Sequence, residues 1–363
     1  MDDSAQSIIS SLHEAPSVRT PPENAPAQPT EPATLTVVSQ TAAAPPAVGP
    51  TGEQRADGDD GPPAKRPRHS DPMIVFAYEC LRREFQELVD RKPAEAAAPT
   101  ADDVHRMRIA MRRLRVALRM FRRMLPRAAK SLRKDLRAFA RALGDVRDVD
   151  VHAETFRAYA QTIPAEDLAE LSGYELHLRR ERAEARARMS ERFSDERYDE
   201  LLKDFSTFLD DAPSAGAERR WRSFKVSDGV DKYLKKSLKR VLKLGRKVGS
   251  EAHAKDLHRL RIRAKRFRYE LEFFAFAYKS LDKAATEAKA LQDLLGAHQD
   301  ACTAADRLAD YARYLRKHGG GELPAALARL AESEHQRSRD VRQSFPAEWR
   351  HFERSVARGR IAI

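Results

Sequence analysis

The 363 residues are enough for two ordinary domains or one large duplicated one; 34% are charged, only 7% are aromatic, and the formal net charge is +12. Two cysteines, Cys80 and Cys302, exclude a disulfide framework and fit a reducing cytoplasm, where the protein is expected to reside. The opening Met1-Asp2-Asp3-Ser4 has neither the basic nor the apolar region of a secretory signal, and the apolar run Leu271 to Tyr278 is far too short to span a bilayer.

Residues 1–72 hold thirteen of the twenty prolines and carry five Lys/Arg against ten Asp/Glu, a net of −5 that leaves +17 on the remainder. Such a tail cannot bury enough apolar surface to offset its ordering entropy and is expected to be disordered. Within it Lys65-Arg66-Pro67-Arg68 looks like a short basic targeting signal, although a solvated run in a tail reads the same way. The basic remainder suits polyanionic partners: phosphate polymers, nucleic acid or an anionic membrane surface.

From Met73 onward the pattern is helical, rich in Ala, Leu, Arg and Glu, and shows no strand alternation. Helices are predicted over 73–91, 102–125, 128–143, 148–161, 165–191 and 195–209. After a Pro/Ala/Gly break near 211–217 they resume at 228–247, 255–279, 281–296, 299–317, 324–342 and 346–357. Pro126 stops the second helix, Gly144 and Gly296 are placed just past helix ends, Asp148 as an N-cap, and Pro324 and Pro346 near N1 positions.

The most informative feature is a basic helix written twice. Val104-His105-Arg106-Met107-Arg108-Ile109-Ala110-Met111-Arg112-Arg113-Leu114-Arg115 is matched by Leu257-His258-Arg259-Leu260-Arg261-Ile262-Arg263-Ala264-Lys265-Arg266-Phe267-Arg268. Packing would repeat the apolar spacing but gives no reason to repeat the His and the basic residues. Leu143-Gly144-Asp145-Val146-Arg147-Asp148 likewise matches Leu295-Gly296-Ala297-His298-Gln299-Asp300, and Arg82-Arg83 aligns with Lys235-Lys236. The fold expected is all-α: two helical bundles related by a pseudo-twofold duplication, with halves at about 73–210 and 226–357.

On a helical projection His105, Arg108, Arg112, Arg115 and Arg119 fall within about 80°, opposite the apolar arc of Met107, Met111, Leu114 and Leu118. His258, Arg261, Lys265 and Arg268 repeat the stripe, which Glu272 ends one turn earlier. Like charges at i,i+4 cost a few tenths of a kcal/mol each, and no acid relieves them, so the stripes make sense if an anion neutralises them. Lys232, Lys235, Lys236, Lys239, Lys243 and Lys247 add a further basic face. A histidine beside phosphate should gain a proton and become a double donor. A metal site drawing on His152, His253 or His298 is the rival, but no H-x3-H or C-x2-C spacing supports it. Asp148 and Asp300 read as helix caps or, alternatively, as acids orienting a stripe arginine. No P-loop, G-x-S-x-G elbow or H-E-x-x-H helix is present, and no catalysis or cofactor is expected.

The H-x2-R-x3-[KR]-[RK]-x-R helix in each half, followed by L-G-x2-[RQ]-D, resembles the conserved histidine α-helical domain, or CHAD, family over about 73–357. The resemblance implies two helical bundles whose basic residues line a central groove, binding of inorganic polyphosphate, and association with polyphosphate or polyhydroxyalkanoate granules or their proteins. It also implies the ligand set His105, Arg108, Arg112, Arg115, Arg119, His258, Arg261, Lys265 and Arg268, with Arg82, Arg83, Lys235, Lys236 and Lys239 alongside. The E-x-E-x-K strand motif of the triphosphatase that often accompanies the family is absent, so a stand-alone, non-catalytic binding module is implied. Lys265 for Arg112, Glu272 opposite Arg119 and Gln299 for Arg147 suggest unequal halves. A nucleic-acid-binding protein and a granule scaffold acting through protein contacts are the alternatives, and nucleic acid is expected only as a non-specific polyanion.

Overall fold

A computed structural model describes residues 67–90, 99–194, 196–211, 221, 223–248 and 253–356. The predicted disordered tail lies outside these residues as far as position 66. Its last six residues do not behave as tail. Met73 N–H donates to the Phe224 carbonyl at 2.8 Å, Val226 N–H to Asp71 at 3.0 Å and Ser227 N–H to His69 at 3.2 Å. His69 stacks on Tyr278 with ring centroids 3.8 Å apart. Residues 67–72 are therefore fastened to the start of the second half, because the backbone of 69–73 finds partners there.

Among the described residues the structure is helical and has no strand. The helices are α1 (Met73–Val89), α2 (Ala101–Met120), α3 (Ala128–Ala160), α4 (Ser172–Ser194), α5 (Glu196–Asp210), α6 (Val226–Gly245), α7 (Ala254–Ala275), α8 (Asp282–Lys317) and α9 (Ala325–Ser355). Short helical turns at Ala165–Leu168, Ala169–Leu171 and Lys279–Leu281 lead into α4 and α8. Local chemistry fixes the start of α2. Thr100 Oγ1 accepts from Asp103 N–H at 3.1 Å, and Asp103 Oδ2 accepts from Thr100 N–H at 2.9 Å. This reciprocal cap contributes about 1 kcal/mol, and Asp102 and Asp103 also complement the helix dipole. The helix stops at Met120, ahead of the predicted end at 125, and Phe121, Met124 and Leu125 are buried in the turn before Pro126.

Three predicted breaks do not occur. Gly144 lies inside the 33-residue α3, Gly296 inside the 36-residue α8, and Pro346 inside the 31-residue α9. A helical glycine costs about 1 kcal/mol, less than is gained by keeping Leu143, Val146 and Val149 buried in one continuous face. Pro346 lies between the buried Phe345 and the buried Trp349 and Phe352, whose packing holds the helix together across it. Asp148 and Asp300 consequently sit in mid-helix and cannot be caps.

Helices of 17, 20 and 33 residues in the first half recur as 20, 22 and 36 residues in the second, in the same order. Each packs on the next: α1 on α2, α2 on α3, α3 on α4 and α5, then α6 on α7, α7 on α8 and α8 on α9. The halves meet twice. One meeting is the main core, where α2 crosses α7 and α1 touches α6; Phe76 stacks on Phe274 at 5.4 Å there. The other is a smaller cluster, in which Phe156, Leu171 and Tyr174 pack against Leu308, Tyr311 and Leu327. Along α3 the main core ends at Val149 and the small one begins at Phe156; along α8 the limits are Leu295 and Leu308. Asp148 stands beside Val149, where the main core ends on α3, and Asp300 lies between the two cores on α8.

Candidate functional site

Two basic stripes 153 residues apart in sequence converge on the space beside these two aspartates. Arg108 and Arg112 reach it from α2, Arg261 and Lys265 from α7, Asp148 from α3 and Asp300 from α8. The i,i+4 spacing stacks each basic pair on one helix face, and the α2–α7 crossing turns the two faces to a common space.

Electrostatics measures how crowded that space is. Burial pushes the Lys265 ammonium down to about 6, reinforced by Arg112, Arg261, Arg108 and Arg268. Near neutrality Lys265 is mostly an uncharged amine. Burial and then Arg112 lower Arg108 to about 10, with Asp148 opposing. Arg261 is lowered by burial against the pull of Asp300. Asp300 is raised by burial and by Asp148, while Arg261, Arg337 and Lys265 hold it down. Two carboxylates do not satisfy this group. Beside it, Arg108 Nε and the Tyr269 hydroxyl are buried with no hydrogen-bond partner among the described residues, as are several polar atoms elsewhere. Orphaned buried donors are rare and call for a ligand or water.

The basic track continues along α2. Arg115 is lowered by burial and then by Arg137, Arg112 and Arg133; Arg119 by burial and then by Arg266, Arg133, Arg263 and Arg122. In the other direction the surface turns acidic, where Asp145, Asp148, Glu181 and Glu184 line a pocket with Arg188 and Arg307.

Not every residue of the expected ligand set arrives at this space. Arg268 is 2% exposed and pairs with Glu272 at 3.3 Å while lying over the Tyr269 ring. It belongs to a buried ionic chain in which Arg83 meets Glu84 at 3.1 Å, and Glu84 meets Arg113 at 2.7 Å. Arg113 then reaches Glu272 at 2.9 Å. Burial disfavours the Arg113 charge, but Glu84 and Glu272 outweigh it and raise its pKa. This chain ties α1, α2 and α7 together and explains Glu272, which from sequence had looked like a missing cation. Arg83 is further committed to the Phe276 ring at 4.6 Å, and Arg82 to Glu79 at 2.9 Å and the Leu209 carbonyl at 3.0 Å. Lys235 pairs with Asp231, and Lys236 and Lys239 stand exposed on α6.

The matched histidines are each the fifth residue of their helix. His258 is exposed, with Nδ1 donating to Gln299 Oε1 at 2.6 Å, and His105 is half-buried. Of the histidines weighed as metal ligands, His152 is buried against the Tyr174 hydroxyl and His298 is buried beside Cys302. Among the described residues no three His, Cys, Asp or Glu side chains gather closely enough to hold a metal ion. No described helix is long and apolar enough to cross a membrane. Arg133, Arg137, Arg337 and Tyr269 border this space without any signal in the sequence, and the two aspartates had read first as caps. The signal that marked Asp148 and Asp300 was their matched positions after the Leu-Gly pairs.

The CHAD domain family matches residues 79–309, most of the chain, which therefore belongs to that family. Two uncharacterized proteins of Mycobacterium tuberculosis, from strains CDC 1551 / Oshkosh and ATCC 25618 / H37Rv, are each 23% identical over 311 residues, 82% of this chain. The chain spans 57% of the length of those relatives. The crystal structure of the CHAD domain from the plant Ricinus communis superposes with a TM-score of 0.63 at 22% identity, covering 81% of this chain and 97% of that one. PptA from Streptomyces chartreusis gives 0.57 at 16% identity, covering 77% and 99%. These two likenesses establish the fold.

Proposed function

We propose that this CHAD domain protein is a non-catalytic binder of inorganic polyphosphate, which it holds at the convergence of α2 and α7. The observation that carries the reading is the cluster of Arg108, Arg112, Arg261 and Lys265, crowded enough to neutralise a lysine yet matched by only Asp148 and Asp300. The orphaned Arg108 Nε supports it. A linear polymer with about one charge per phosphate is thin enough to enter between helices where a duplex is not. Each charge-assisted hydrogen bond would contribute roughly 1.5–3 kcal/mol.

The remaining residues of the set, His105, Arg115, Arg119 and His258, extend the surface along both helices, and the two halves are taken as duplicates that contribute unequally. Granule association is part of the same reading, because a protein that grips the polymer is carried to wherever it accumulates. The cluster presents no stacked aromatic platform for bases, which weighs against single-stranded nucleic acid as the intended ligand.

The test is titration of the full chain with long-chain polyphosphate and, in parallel, with duplex DNA at equal phosphate concentration and about 150 mM salt. Tight binding to polyphosphate alone, weakening steeply with added salt, is the expected result. Equal binding to both would mean that charge rather than shape is read, and would overturn the assignment.

A further inference from the structure

We propose that the exposed lysine face of α6 is a docking surface for this chain's own acidic segment, residues 53–60. The inference does not require polyphosphate to be the ligand of the arginine cluster.

α6 carries six Lys/Arg and two Asp, and the next two residues, Arg246 and Lys247, are also basic. Val230, Leu234 and Val241 turn one side of the helix into the core. Lys232, Lys235, Lys236, Lys239, Lys243 and Lys247 stand exposed on the rest of it. Lys232 and Lys236, Lys235 and Lys239, Lys239 and Lys243, and Lys243 and Lys247 are like-charge neighbours at i,i+4, an arrangement that destabilises a helix until an anion lies over it. The nearby acids leave most of this face unrelieved. Asp228 caps the helix by accepting from Lys225 N–H at 3.0 Å. Asp231 pairs with Lys235, and Glu353 of α9 pairs with Arg246. Lys236, Lys239, Lys243 and Lys247 have no ion pair among the described residues. Other surface helices differ: on α4 Arg179 and Arg188 are paired with Glu175 and Glu184, and on α9 Arg339 with Glu332.

The occupant follows from where the N-terminal chain is fastened. Ser227 N–H, in the first turn of α6, donates to the His69 carbonyl at 3.2 Å, and His69 stacks on Tyr278. Whatever precedes Pro67 therefore starts at the N-terminal end of the lysine face. Residues 1–66 hold nine Asp/Glu against four Lys/Arg, and Glu53, Asp57, Asp59 and Asp60 fall within eight positions. The uncharged Gly61-Pro62-Pro63-Ala64 separates them from Lys65 and Arg66. The seven residues from Asp60 to Pro67 can span up to about 25 Å, and the fourteen from Glu53 about 50 Å. The 20 residues of α6 extend about 30 Å, so its whole basic face lies within reach.

A tether this short holds the carboxylates near the lysines at an effective concentration in the millimolar range. Each contact is exposed and weak by itself; the tether lets four of them act together. The cover is reversible, because salt screens exposed pairs. Lys235, Lys236 and Lys239, which the family resemblance set beside the polymer, are then shielded in the free protein.

The experiment is zero-length carbodiimide cross-linking of the full chain at low micromolar concentration and low salt. An equal mixture of unlabelled and isotope-labelled protein is used, and the joined peptides are mapped by mass spectrometry. Asp57, Asp59 or Asp60 is expected joined to Lys236, Lys239 or Lys243 within one isotopic species, at least about fivefold more often than to exposed Lys134, Lys203 or Lys317. The variant Glu53→Gln/Asp57→Asn/Asp59→Asn/Asp60→Asn leaves residues 67–363 unaltered. Its α6 lysines should react about two- to fourfold faster with acetic anhydride than those of the natural chain, with Lys203 and Lys317 unchanged. Cross-links spread evenly over the exposed lysines would mean undirected attraction of charge. Cross-links to Lys265 would put the segment in the arginine cluster, and mixed-isotope products would make a second copy the partner. Any of these, or α6 lysines whose reactivity ignores the substitutions, overturns the proposal. No polyphosphate enters the experiment, so such a failure leaves the polyphosphate reading standing.

Discussion

If the cluster receives polyphosphate, binding should take up a proton, and Lys265 sets how much. In the free protein its ammonium titrates at about 6, so about one-tenth of the molecules carry that proton at pH 7. A phosphate chain laid against Arg112 and Arg261 removes the repulsion that expelled the proton and returns the group toward its ordinary value of 10.5. The bound lysine is then fully charged, and uptake at pH 7 is about 0.9 proton per site. Because the complex holds more protons than the free protein, affinity must fall as pH rises above 6. The contribution of Lys265 is about fivefold from pH 6 to 7 and about ninefold from pH 7 to 8, and it vanishes below pH 6, where both states are charged. Titration calorimetry at pH 7 in buffers of differing ionisation enthalpy counts the protons directly. Lys265→Met isolates the share of Lys265 from that of every other group. A wild-type uptake equal to that of K265M would refute the claim that the cluster expels a proton which the ligand restores.

The same lysine should weaken the free fold. Its folded pKa lies below its unfolded value, so between about pH 6 and 10.5 the unfolded chain binds the extra proton and stability rises with pH. K265M is accordingly expected to raise the melting temperature at pH 7 while weakening polyphosphate binding, as thermal melts and titrations will show. Replacing Arg108 and Arg261 together with Glu should abolish binding with helix content unchanged by circular dichroism; unaltered affinity in that double variant would remove the cluster from the binding surface. Glu272→Gln strips Arg113 and Arg268 of a shared partner. A loss of about 2–3 kcal/mol in denaturant unfolding is expected, reduced from the fully buried case by the partial exposure of Glu272. Gly245→Ala drives a methyl into the buried Trp349 indole where α6 meets α9. Overpacking there should cost about 1–3 kcal/mol, more than the helix-propensity gain of about 1; a stabilised variant would show that the ring moves aside freely.

The sequence alone determined the helical class, the basic character and the two stripes, because these depend on residue type and on a 3.6-residue period local to each helix. The pairing of Arg108 with Arg261 and of Arg112 with Lys265 was legible as matched spelling, and the family could be read from it. Where the helices stop was less legible. Gly144, Gly296 and Pro346 carry local breaking signals that burial along continuous apolar faces overrides. Only the tertiary structure decided which cations are available. Arg268 has the same periodicity as Lys265, yet one is fixed on Glu272 in the core and the other stands in a space shared with three arginines. Asp148 and Asp300 became members of the site only when α3 and α8 ran unbroken beside it. Desolvation and like-charge crowding depend on which elements pack together, and no one-dimensional pattern encodes the distance between charges some 150 residues apart.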